Sequence, residues 1–168
     1  MTEENTGNAV ANEERAENHF AMQRIYLKDL SFETPMGVEA FQREVKPQIG
    51  QELSTKIEQL DETHFEVVMT LTITVKDKDD VVFLTEVHQA GIFMVKGLEK
   101  AQMAHVLNVL CPATLYPYAR EVVDNVVVKG TFPALMLPPV NFDALFAQAL
   151  AERKAKQDEQ ASESETAH

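Results

Sequence analysis

The chain has 168 residues, 45% of them apolar and 25% charged, a length and balance suited to a single domain with one core. Fifteen Lys and Arg against 27 Asp and Glu give a formal net charge of -12, which repels nucleic-acid phosphates and anionic lipid rather than gathering them. The lone cysteine, Cys111, excludes an intrachain disulfide and any multi-thiolate metal site and suits a reducing compartment; with neither a signal-peptide pattern nor an apolar run of membrane-spanning length, the protein is expected to be soluble and cytoplasmic.

Residues 1–18 hold five Glu and one Arg among small polar residues, a composition that buries too little apolar area to offset chain ordering, and a disordered acidic tail is expected there. Phe20 to Phe32 reads as an extended segment that ends at the turn-prone Thr34, Pro35, Met36 and Gly37. Ile49, Leu53 and Ile57 sit at even spacing among polar neighbours, as a second strand would place them. Phe65, Val67, Met69, Leu71, Ile73 and Val75 alternate with mostly polar residues, the pattern of a strand buried on one side. The charged run from Lys76 to Asp80 breaks that alternation, and Val81 to Val95 resumes it, predicting a hairpin.

Near Gly97 the apolar period changes from about two to about 3.6. Leu98, Ala101, Ala104, Leu107 and Leu110 predict a helix closed by Cys111 and Pro112, with Pro112 opening a second helix that carries Leu115, Tyr118, Ala119, Val122 and Val126 to a C-cap at Gly130. Pro133, Pro138 and Pro139 mark an extended connector. Asn141 then caps a helix whose apolar stripe is Phe142, Leu145, Phe146, Ala149 and Leu150. Residues 152–168 read as a disordered polar tail. The core at residues 19–151 retains a charge of -6, with -4 in the first tail and -2 in the second. Grouped strands followed by grouped helices predict an α+β fold: a four-stranded antiparallel sheet with helices packed against it.

Little in the sequence supports catalysis. A Cys111 nucleophile with His105 as base is conceivable at a six-residue spacing, but a cysteine before proline and a histidine inside an apolar helix are expected to be packed and inert. His64, His88 and His105 form no ligand spacing, and neither GxxxxGK[ST] nor GxGxxG occurs, so no metal, cofactor or ATP is expected. What remains is surface chemistry. On extended strands Leu84 and Glu86 share a face, as do Asp29, Ser31 and Glu33, so an acidic patch and a merely solvated sheet face are both open readings. Phe132, Leu135, Met136 and Leu137 crowd the connector, where they either cover a core or line an adaptable apolar groove.

The segments 24–35 (RIYLKDLSFETP), 86–93 (EVHQAGIF), 102–105 (QMAH), 117–121 (PYARE), 130–133 (GTFP) and 139–146 (PVNFDALF) resemble, in order, the SecB family of bacterial protein-export chaperones. That resemblance implies a cytoplasmic homotetramer, a dimer of dimers, which uses no ATP, holds secretory precursors unfolded and delivers them to the motor SecA. It further implies SecA contacts at Asp29, Glu33, Leu84 and Glu86, and a client groove to which Ile49, Leu53, Phe132, Leu135, Phe142 and Phe146 contribute. Nucleic acid and direct membrane insertion are not expected; a non-enzymatic adaptor for a folded partner is the alternative. Ala90 stands where the family often has glycine, Lys129 where it often has arginine, and residues 50–62 match only loosely.

Overall fold

A computed structural model describes residues 19–165; the acidic tail expected over residues 1–18 lies outside the described residues. Four strands, β1 (His19–Glu33), β2 (Gln48–Gln59), β3 (His64–Asp77) and β4 (Asp80–Lys96), form one antiparallel sheet in the order β1-β4-β3-β2. A four-residue helix, α1 (Glu39–Gln42), lies in the crossover from β1 to β2. The β3–β4 hairpin turns at Lys78, whose φ of 57° places it in the left-handed region.

The odd-numbered residues of β3, Phe65 to Val75, and Phe83, Val87, Phe93 and Val95 of β4 are buried with Leu107, Leu115, Ala119, Val123 and Val127 of the helices. Burying each of the larger side chains contributes about 1.5–3 kcal/mol relative to exposure. Helix α3 (Cys111–Lys129) crosses β4 at Gly91, where an added Cβ would lie 3.0 Å from Leu115; a larger residue would push the layers apart. The even-numbered residues of β3 and, apart from the bulged and buried Val82, of β4 face the opposite side of the sheet.

Strand β1 stays in register through two bulges, at Gln23 and Lys28. Each bulge reverses the alternation, so Phe20 and Met22, then Ile25 and Leu27, then Leu30 and Phe32 all reach the helix side of the sheet.

The helical region departs from the sequence expectation at Cys111 and Pro112. Instead of two helices meeting there, the backbone runs without a break from α2 (Lys100–His105) through a π-helical turn (Val106–Leu110) into α3. Pro112 cannot donate to the carbonyl of Asn108, and its ring crowds that carbonyl; widening the preceding turn relieves both problems, with Cys111 N–H bonding Val106 O and the Asn108 amide donating to Ala104 O at 2.8 Å. Helix α3 does stop at Gly130, but Gly130 has φ -74° and the left-handed residue is Thr131, φ 65°.

The connector after α3 is stitched to it by three side chains one turn apart. Asp124 Oδ1 accepts from Leu135 N–H at 2.9 Å and Met136 N–H at 3.2 Å, Arg120 donates to Leu137 O at 3.1 Å, and the Tyr116 hydroxyl donates to Pro138 O at 2.7 Å. Asn141 caps α4 (Phe142–Glu165) as expected, accepting from Ala144 N–H at 3.0 Å. The polar segment expected to be a tail from residue 152 continues α4 as far as Glu165, with residues 152–158 exposed throughout. Its Ala, Glu, Lys and Gln are strong helix formers.

Candidate functional sites on two faces of the sheet

Register decides which strand side chains meet. On the open face Asp29 lies opposite His88, Ser31 opposite Glu86, and Glu33 opposite Leu84, so Asp29, Glu33, Leu84 and Glu86 occupy adjoining positions of β1 and β4. Directly opposed side chains have Cβ atoms roughly 4.5–5.5 Å apart, close enough for the four to form one surface. Asp29 reaches this face only because the Lys28 bulge reverses the alternation set by Arg24 and Tyr26.

Glu86 is held at the centre of the patch. Its Oε1 lies 2.7 Å from His88 Nε2 and its Oε2 accepts from the Thr72 hydroxyl at 3.1 Å. The His88 and Thr72 hydrogen bonds keep its carboxyl below the ordinary glutamate range, so it stays ionised. Further along the same face Glu66, 9% exposed, accepts from the Tyr26 hydroxyl and from Lys28 Nζ at 2.7 Å, and Lys28 and Tyr26 hold its carboxyl low. Lys28 neutralises that end of the sheet, which leaves the excess negative charge at the Asp29, Glu33 and Glu86 end.

The six groove residues fall into two pockets on the helix side. The larger, about 470 Å3, contains Ile49, Phe132 and Leu135, together with Phe41, Val45 and Phe83. Rings line it: Phe132 lies 5.2 Å from Phe41 and 4.7 Å from Phe83, centroid to centroid. The smaller, about 340 Å3, contains Leu53, Phe142 and Phe146 with Asn108 and Leu145. Phe142 is 6% exposed and packs edge-on to Tyr116 at 6.0 Å, so it belongs to the floor and to the core. Ile49 and Leu53 lie on the same face of β2, roughly 14 Å apart at strand rise, so each pocket takes one residue from the β2 side of the sheet.

Not anticipated from the sequence are His88 and Thr72, which bond Glu86, and Phe41, Val45 and Phe83, which line the larger pocket. His88 was detectable by its even spacing from Glu86. Phe41 and Val45 carried no strand or helix period that would have tied them to a groove.

The residues considered for catalysis are not arranged for it. Cys111 is fully buried, and desolvation pushes its thiol up to about 12. The packed His105 expected from the sequence is instead at the surface: its Nε2 lies 2.8 Å from Asp143 Oδ1, and its ring meets the edge of Phe146 at 6.3 Å. Among the described residues no helix is long and apolar enough to cross a membrane.

Comparison with known proteins addresses the whole chain. The family described as "Preprotein translocase subunit SecB" matches residues 13–153. The chain is 52% identical over 150 residues to the protein-export protein SecB of Pseudomonas syringae pv. syringae, covering 89% of this chain and 92% of that one. It is 53% identical over 153 residues to that of Stutzerimonas stutzeri, with 90% and 92% covered. Among solved structures, the Mycobacterium tuberculosis SecB-like chaperone Rv1957, in complex with a ChAD peptide from the HigA1 antitoxin, shares the fold with a TM-score of 0.58 at 16% identity, covering 72% of this chain and 90% of that one. With a family match over most of its length and relatives more than half identical across it, the chain belongs to the SecB family of protein-export chaperones.

Proposed function

We propose that this chaperone holds secretory precursors unfolded in the apolar lane along β2 while its acidic sheet face docks on the motor SecA, and that it does so as a homotetramer, a dimer of dimers. SecB-family chaperones are non-enzymatic and cytoplasmic, so the work is binding alone. One observation carries the reading: the acidic patch and the apolar lane lie on opposite faces of one sheet, so that both can be occupied together. A carrier that must be recognised while loaded needs that separation.

The groove suits an extended chain. A single apolar segment must be ordered on binding and binds weakly, whereas several segments of one unfolded polypeptide gain from effective concentration once the first is seated. Folded proteins have already buried such segments, so selection is for chains that fold slowly. Across the sheet, a basic surface of SecA meets Asp29, Glu33 and Glu86 with charge complementarity that salt weakens. The copies meet through β1, an edge strand with exposed apolar side chains that a partner would cover.

The test is a pair of titrations on two variants. Glu86→Lys is expected to weaken SecA binding by about tenfold or more while precursor refolding remains delayed, and Phe146→Asp is expected to do the reverse. Unchanged SecA affinity in the first would remove the patch assignment, and an unchanged refolding delay in the second would remove the groove.

A further inference from the structure

The crossover from β1 to β2 supplies one wall of the larger pocket through Ala40, Phe41, Val45 and Pro47. Its turn hydrogen bonds, Gly37 N–H to Thr34 O, Ala40 N–H to Gly37 O and Phe41 N–H to Val38 O, stay within the segment and do not tie it to the sheet. Met36, Ala40 and Val45 pack against the core, and charge adds a fastening to the hairpin. The Arg43 guanidinium lies 3.1 Å from Asp80 Oδ2 and 3.5 Å from Asp77 Oδ2, so one side chain bridges the two strands where they meet at the β3–β4 turn. Asp77 also accepts from Lys46 N–H at 3.3 Å, and it is only 5% exposed. A carboxylate so far from water depends on a nearby cation, and Arg43 is the cation paired with it among the described residues. Both contacts come from one guanidinium nitrogen, Nη2, whose two N–H groups are shared between the two carboxylates.

We propose that Arg43 is a positioning residue of the client pocket: with Asp77 and Asp80 it forms a clasp that holds residues 38–47 as a wall and thereby sets how long a bound apolar segment stays. This rests on the reading of that pocket as the client groove. With the clasp closed, Phe41 is kept stacked on Phe132, and a client seated against both rings leaves only when the wall moves. With it open, the pocket still admits apolar side chains but no longer retains them. The clasp acts on departure more than on arrival, which is where most differences in affinity arise.

The experiment compares the full-length wild-type protein with Arg43→Gln, Arg43→Lys and, as a control for general destabilisation, Cys111→Ser. Two quantities are read: amide exchange over residues 38–47, and the release rate of a reduced, unfolded secretory precursor. Arg43→Gln should exchange faster in that segment and release its precursor roughly tenfold faster, the effect of losing one charge-assisted contact. Arg43→Lys should restore most of both, and added salt should speed release from the wild type but not from Arg43→Gln. Release from Arg43→Gln no faster than from Cys111→Ser, or wild-type exchange in residues 38–47, would overturn the clasp. If the wild-type protein held no unfolded precursor at all, the groove reading would fall, and the exchange rates alone would decide the clasp.

Discussion

Cys111 shows how far one residue's surroundings constrain its chemistry. A thiol with no exposed surface and a pKa near 12 has almost no thiolate at neutral pH and no path for a reagent. The native protein should therefore resist a thiol-specific reagent at pH 8 and react fully once unfolded. Cys111→Ser places a hydroxyl in the same dry position and is expected to cost about 1–3 kcal/mol of stability while leaving precursor holding intact well below the melting temperature. Rapid labelling of native protein, or a loss of holding without loss of stability, would contradict this. That Cys111 is buried was legible, because a cysteine beside a proline in an apolar helix has few other places to go. The surroundings of His105 were not. Its partner Asp143 lies 38 residues away, and no local period reports a contact of that separation.

At the level of elements, the sequence carried each strand but not its irregularities. The alternation in β3 is unbroken, so its buried face could be read directly. In β1 the apolar residues change parity twice, and only the pairing with β4 reveals that bulges at Gln23 and Lys28 return them to one side. The π-helical turn was hidden for a related reason. Proline is an ordinary marker of a helix start, whereas the fold absorbs Pro112 inside a continuous helix. Gly130 looked like a conformational requirement, yet its φ of -74° suits any residue. Space makes the demand: a Cβ there would lie 2.5 Å from Phe32 Cζ and 3.2 Å from Phe132 Cδ2. Gly130→Ala should therefore destabilise by about 1–3 kcal/mol despite alanine's better helix propensity. Gly50→Ala, whose Cβ would meet only Thr74 O at 3.6 Å, should stay within about 0.5 kcal/mol of wild type, and thermal melts of the two would separate sterics from glycine flexibility.

For the molecule as a whole, the two candidate sites were unequally legible. The acidic patch uses residues two apart on strands, and parity within each strand already grouped them; the fold had only to set β1 beside β4. The candidate groove draws on β2, the crossover, the connector and α4, and nothing local shows that these converge on two pockets. The same long-range order leaves one feature that a single copy does not satisfy. β1 is an outer strand, and on its helix side Phe20, Met22, Leu27 and Leu30 remain 37–45% exposed in a row. An apolar edge with free backbone groups invites pairing with another chain, and a second copy presenting the same edge would cover both rows symmetrically. On the proposed tetramer, Leu27→Asp combined with Leu30→Asp buries charge at that seam and is expected to lower the solution mass from about four times the 18.9 kDa chain to a smaller species, while far-UV circular dichroism keeps its native shape. Light scattering measures the outcome. If the double variant kept its full mass, the copies would have to meet elsewhere, and the exposed Leu110, Tyr118 and Val128 along the helices would be the next surface to reverse.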